Sequence, residues 1–166
     1  LLLVEALKKI KPRKLAVLFV GSDQGRVEYT RELEDRLAGL PSEISTQIVQ
    51  TSPDMPETYA ASDIVINASL VPEAFGRTIP EAQAMGCIVV AAKHGGACET
   101  VEDEKTGFLF APGSASELAA RIDRLLAAPS GELDRIRQQA RQTAREKFST
   151  QKMCDSTISL YRSLMD

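Results

Sequence analysis

Two carboxylates, Glu73 and Glu81, stand eight positions apart in Ser69-Leu-Val-Pro-Glu73-Ala-Phe-Gly76-Arg-Thr-Ile-Pro-Glu81-Ala-Gln-Ala-Met-Gly86. Glu73 falls in a loop. Glu81 falls in the first turn of a helix, whose positive end favours an ionised side chain. Between them lie the backbone amides of Phe75, Gly76, Arg77 and Thr78. Free amides at a helix start suit a phosphate. A carboxylate beside them accepts hydrogen bonds from sugar hydroxyls. Together the set suits a ligand carrying both a diphosphate and sugars. Taken singly, each Glu has a plainer role, as a dipole partner or as part of an ordinary strand-to-helix crossover.

The elements that must position these groups are readable around them. Asp63-Ile-Val-Ile-Asn-Ala68 is an unalternating apolar run, as a parallel strand covered on both faces requires. Pro72 and Gly76 break the chain, and a helix restarts near Ile79. Pro80 sits in its first turn, where a missing N–H costs little. Gly86 ends it as a residue able to take positive φ. Cys87-Ile-Val-Val-Ala-Ala92 is the next buried strand. The carboxylates therefore lie at the carboxyl edge of a parallel sheet, where open α/β folds bind ligands.

This stretch resembles the signature of retaining GT-B-type glycosyltransferases, the glycosyl transferases group 1 family. The resemblance is carried by Glu73-Ala-Phe-Gly76, Glu81-Ala82, Ile88-Val89-Val90, Gly95-Gly96-Ala-Cys-Glu99 and Thr106-Gly107, in that order and spacing. It implies a doubly wound, Rossmann-like α/β domain, the C-terminal, donor-binding half of a GT-B fold. It further implies that Glu73 contacts the transferred sugar and helps set up its anomeric carbon. Glu81 would hold the ribose hydroxyls, and amides near Phe75, Gly76, Arg77 and Thr78 would meet phosphate or sugar. In the family, an Arg and a Lys just upstream of the first helix bind the diphosphate, and the usual catalytic His belongs to the other half. This sequence starts after that Arg and Lys. The expectation is one nucleotide-sugar-binding domain over 1–166, with C-terminal helices over 131–165 and the N-terminal acceptor half absent, so that this chain alone is inactive.

The implied function is donor binding for transfer of a hexose from a nucleotide-diphospho-sugar, with retention. The wording around Glu73 and Glu81 looks most like bacterial enzymes of lipopolysaccharide or other surface glycans. No Asp-x-Asp argues for a divalent ion, so neither metal nor cofactor is expected; positive groups and helix ends would help the diphosphate depart. Two alternatives stay open: a sugar-nucleotide epimerase of the same fold, and a non-catalytic nucleotide-binding domain.

Composition narrows the partners. A net charge of −3 gives no electrostatic case for nucleic acid. No apolar run approaches membrane-spanning length and no signal peptide is visible. The 3 cysteines, Cys87, Cys98 and Cys154, form no CxxC and suit a reducing cytosol. With 1 His a His-rich zinc site is excluded. The expected location is cytoplasmic, with the inner face of the membrane and self-association of the chain as further possibilities for its partners.

The remaining chain reads as follows. Leu1–Lys11 is an amphipathic helix stopped by Pro12, and Leu15–Val20 is a buried strand. It runs into Gly21-Ser-Asp-Gln-Gly25, whose Gly21 either cradles phosphate or merely turns. A helix over Val27–Gly39, a strand over Ile44–Val49 and a short helix from Pro56 through Tyr59 follow. Lys93 either meets a phosphate or is solvated. His94 is left outside the catalytic set, and Glu99 either caps a turn or touches ligand. Phe108–Phe110 is a final strand. Helices over Ser116–Ala127, Gly131–Phe148 and Thr150–Met165 close the chain, the last with a stripe that is core or partner-facing. By the doubly wound strand order, a central strand belongs between Leu15–Val20 and Asp63–Ala68. Its absence should lead those two strands to pair directly, or the chain to associate, in preference to an open gap.

Overall fold

The computed structural model describes residues 1–23 and 25–165. Gln24, inside the expected Gly21–Gly25 turn, lies outside the described residues. Helices and strands alternate until three helices close the chain: α1 (Leu2–Leu7), β1 (Leu15–Val20), α2 (Val27–Ala38), β2 (Ile44–Val49), α3 (Met55–Ala60), β3 (Ile64–Asn67), α4 (Thr78–Met85), β4 (Ile88–Ala92), α5 (Ala97–Thr100), β5 (Phe108–Phe110), α6 (Ala115–Ala127), α7 (Ser130–Lys147) and α8 (Thr150–Ser163). Every strand pairing is parallel, as α/β crossovers dictate.

The strands form two sheets, β1-β2 and β3-β4-β5. β1 does not pair with β3, so the expected direct closure is not seen. Residues 1–14 contribute α1 and no strand, so nothing from that segment lies between them. Burial follows the same division. β4 is fully buried at all five positions, as its apolar run demands. β3 is only half-buried. β1 alternates, leaving Leu18 45% and Val20 36% exposed. The expectation of a buried strand is therefore corrected for Leu15–Val20, and that of a strand covered on both faces for Asp63–Ala68. An apolar run records what a strand can bury, and burial still needs a partner on each side.

The larger core lies between the sheets and α1 and α6. Ala6, Leu7 and Ile10 meet Leu118, Ile122 and Leu125, with Ile88, Val90, Phe108 and Phe110 beneath and Ile44 alongside. Leu118 at i and Ile122 and Leu125 at i+4 and i+7 give α6 one apolar face. Ser114 caps it, accepting from Glu117 N–H. A second cluster, around Ile79, Ala82, Cys87, Val89 and Ala91, fixes α4 against β4.

Two further expectations shift. α1 ends at Leu7 and the chain turns over Lys8–Ile10, so Pro12 is not what stops it. Lys11 N–H then donates to both carboxylate oxygens of Asp123 on α6, at 3.1 and 3.3 Å. In α8 no residue is buried; Met153, Leu160 and Tyr161, and Leu164 just after the helix, are more than half exposed. Its stripe is therefore not core.

Candidate functional site

The site is built where β3 and β4 end. Asn67 is the last residue of β3 and pairs in register with Ala91, and Ser69 follows it; His94 follows β4 by two residues. Adjacent parallel strands thus bring these three side chains to one edge. They line a cavity of about 10 Å³ with Glu73, floored by Ile79 and Ala92.

Glu73 is held from several sides. Ser69 Oγ donates to its Oε1 at 2.5 Å, and Asn67 Nδ2 reaches Oε2 at 3.5 Å. Gly96 N–H donates to the Glu73 carbonyl at 2.9 Å. The two glycines of Gly95-Gly96 are required by this approach. A Cβ on Gly95 would lie 2.4 Å from the Glu73 carbonyl oxygen, and one on Gly96 would lie 2.4 Å from that of Phe75. Real side chains do not fit there.

α4 starts as its sequence dictates. Thr78 is the first helical residue, Pro80 lies in the first turn, and Gly86 takes φ 87° as the left-handed cap. Arg141 of α7 donates to the Met85 carbonyl at 3.0 Å, satisfying an otherwise open helix end. At the other end, Ile79 N–H is engaged by Gly76 and Glu81 N–H by Arg77. Among the described residues no acceptor meets the N–H groups of Gly76, Arg77 or Thr78. Arg77 and Thr78 are exposed and Gly76 is half-buried.

Glu81 is not joined to Glu73 by any shared partner among the described residues. Its Oε2 accepts from Tyr59 Oη at 3.3 Å, and its Oε1 is met by Arg77 at 3.0–3.2 Å. The Arg77 side chain is 84% exposed, so this helix-surface pair adds little stability. Tyr59 is buried, and burial first, then the Glu81 charge, pushes its phenol above the ordinary tyrosine value. It stays a proton donor to Glu81.

The other expected residues fall as follows. Phe75 is part exposed and packs edge-on against Phe148 at 5.7 Å, which ties the loop to the end of α7. Gly21 has φ 151°, and its N–H donates to Val49, extending the β1–β2 ladder, so that amide is not open to a ligand. Lys93 N–H donates to Phe110, and its side chain is exposed. Glu99 is exposed on α5. Asn67, Ser69 and Tyr59 were not singled out from the sequence. The signal for the first two was there: polar residues directly at the carboxyl end of an apolar strand. Tyr59 was read only as the end of a short helix, and its hydroxyl partner lies 22 positions away.

Gln83, fully buried on α4, secures the platform. Its Nε2 donates to the carbonyls of Thr100 and Thr106, both at 3.1 Å. This joins the carboxylate helix to α5 and to the Thr106-Gly107 turn.

The family model described as Glycosyl transferases group 1 matches residues 1–145. A D-inositol 3-phosphate glycosyltransferase of Saccharomonospora viridis is 31% identical over 156 residues, covering 92% of this chain and 36% of that protein. The chain thus spans little more than a third of the length of that curated relative. A crystal structure of a glycosyltransferase from Rickettsia africae superposes with TM-score 0.91 and 36% identity, over 99% of this chain and 44% of the other. Anabaena HepE, crystallised with UDP and glucose, superposes with TM-score 0.83 and 33% identity, over 95% and 44%. The fold is the Rossmann-like α/β class of the C-terminal half of a GT-B enzyme, and by the family model and these relatives the chain belongs to the glycosyl transferases group 1 family.

Proposed function

We propose that this chain binds the nucleotide-diphospho-sugar donor of a glycosyltransferase that moves a hexose to its acceptor with retention. The observation that carries the reading is the start of α4. Three N–H groups there, of Gly76, Arg77 and Thr78, have no acceptor among the described residues, and carboxylates flank them on both sides. Amides and helix dipole together favour a phosphate at that point. In this reading Glu73, which lines the cavity, meets the transferred sugar. Glu81, further along and backed by Tyr59, holds the ribose. That a related Anabaena protein was crystallised with UDP and glucose supports a uridine donor.

In this reading developing negative charge on the departing diphosphate is met by helix-end amides, without a metal ion. Transfer itself takes place against a second, acceptor-binding half, and this chain alone is inactive. The acceptor class is a bacterial lipopolysaccharide or other surface glycan, assembled in the cytoplasm. No helix among the described residues is long and apolar enough to cross a membrane.

Calorimetry with UDP on the chain and two variants tests the assignment. Glu81→Ala should weaken UDP binding by about ten- to a hundredfold, since a hydrogen bond to a charged acceptor is worth roughly 1.5–3 kcal/mol. Glu73→Ala should leave UDP affinity within about threefold and lower transfer in the reading frame that contains this chain. Equal losses of UDP affinity in both variants would sink the division of roles.

A further inference from the structure

We propose that His94 is a positioning residue for Glu73, acting through Ser69; the proposal rests on the donor-site reading above. His94 Nε2 lies 2.9 Å from the Ser69 carbonyl oxygen. A carbonyl only accepts, so Nε2 carries the proton and donates. Nδ1 is buried and has no partner among the described residues. The contact therefore fixes one tautomer, and the ring is not a proton shuttle toward the cavity. Its task is to clamp the Ser69 backbone.

Ser69 passes the constraint on. Its Oγ is the short donor to Glu73 Oε1, and its N–H approaches Asn67 Oδ1 at 3.4 Å. Asn67 in turn reaches Glu73 Oε2 at 3.5 Å, at the long end of hydrogen-bond geometry. Glu73 is exposed and sits in a loop, so its own packing does not set the direction of its carboxylate. The direction comes from Ser69, and Ser69 is held by a ring anchored on β4. His94 itself is fixed by its backbone N–H, which donates to the Ala92 carbonyl at 2.8 Å. One rigid strand end thereby aims a loop carboxylate on its neighbour. Preorganisation of this kind matters because a displacement of about 1 Å can cost on the order of a hundredfold in rate.

The chain holds 1 His, so its imidazole is directly assignable by long-range nitrogen–proton correlation in the labelled chain. In the neutral ring the proton should sit on Nε2 alone, the nitrogen that faces the Ser69 carbonyl. A proton on Nδ1, or averaging between the two nitrogens, overturns the proposal. The carboxyl carbon resonance of Glu73 should move in His94→Leu and Ser69→Ala, and should stay near its wild-type position in His94→Gln, whose amide N–H restores a donor. An unmoved Glu73 resonance in His94→Leu overturns it too. In the reading frame that contains this chain, His94→Leu and Ser69→Ala should each lower kcat by about 10- to 100-fold, with the donor KM within about threefold. The double variant should lose no more than the worse single one, because both act on one carboxylate. Additive losses, or equal losses in the Leu and Gln variants, count against it. Wild-type protein from the reading frame that contains this chain, showing no transfer from any UDP-sugar, would refute the donor reading, and the two resonance measurements would still decide whether His94 positions Glu73. Melting of each variant alongside wild type identifies any that fails to fold, and Ser69→Ala serves where His94→Leu does.

Discussion

Replacing Gly96 by Ala is expected to disable the site without touching a side chain in it. Gly96 has φ −58°, an ordinary helical value, so the substitution brings no backbone strain. The effect is steric. The new Cβ would lie 2.4 Å from the Phe75 carbonyl oxygen and 2.6 Å from its C and Cα. Comfortable contact is about 3.5 Å, so one backbone must withdraw by about 1 Å. Gly96 is the less able to move, because its carbonyl accepts from Thr100 N–H at 3.0 Å and from Thr100 Oγ1 at 2.8 Å. The Glu73–Phe75 loop therefore gives way, and the bond from Gly96 N–H to Glu73 stretches with it. Overpacking of this sort destabilises by typically 1–3 kcal/mol. Moving the carboxylate by about 1 Å is expected to cost on the order of a hundredfold in transfer. Urea unfolding of the chain and a transfer assay in the reading frame that contains it measure the two. Gly131→Ala is the control: nothing lies within 4 Å of its Cβ, it stands in α7, and it should gain about 0.4–1 kcal/mol. A Gly96→Ala chain as stable as wild type, with transfer intact, would refute the view that this glycine contact sets the carboxylate loop.

Two other outcomes follow from the packing around α4. Gln83→Leu strips the Thr100 and Thr106 carbonyls of their donor and should cost about 1–3 kcal/mol for each acceptor left buried and unpaired, read by urea unfolding. Tyr59, whose phenol is raised above 10.0 by burial and then by Glu81, contributes stability that is complete below about pH 10 and is lost as pH rises through its raised value. In alkaline absorbance titration the step removed by Tyr59→Phe should therefore lie above the ordinary tyrosine value, and a step at or below that value would contradict the buried hydrogen bond to Glu81.

Much of the carboxyl-edge architecture was legible in the sequence. Pro80 and Gly86 bracket α4 because each has a backbone preference that acts locally, and Ile88–Ala92 is a strand whose apolar run meets cover on every side. What was not legible depends on partners distant in the chain. The Leu15–Val20 run gave no sign that one side would lack a neighbour. The end of α1 was assigned to Pro12, whereas the tertiary bond from Lys11 to Asp123 holds that segment in a turn. A glycine shows that a backbone may approach closely but not which one, so the contact between Gly96 and Phe75 had no signature. His94 touches its site through a carbonyl, and carbonyls are common to all residues. That is why the ring was set aside with a solvated Lys93, although it stands at the same edge as the carboxylate it faces.

The division of the strands into β1-β2 and β3-β4-β5 also governs how the molecule responds to cold. Among the described residues no backbone hydrogen bond joins one sheet to the other; the joint is made by side chains, with Val17 and Ile44 packed into the cluster that holds Ile66, Val90 and Phe110. Apolar contact weakens as temperature falls, and the ladders within each sheet do not share that dependence to the same degree. Cooling is therefore expected to loosen this apolar joint between the two sheets before it frays the strand pairing within either one.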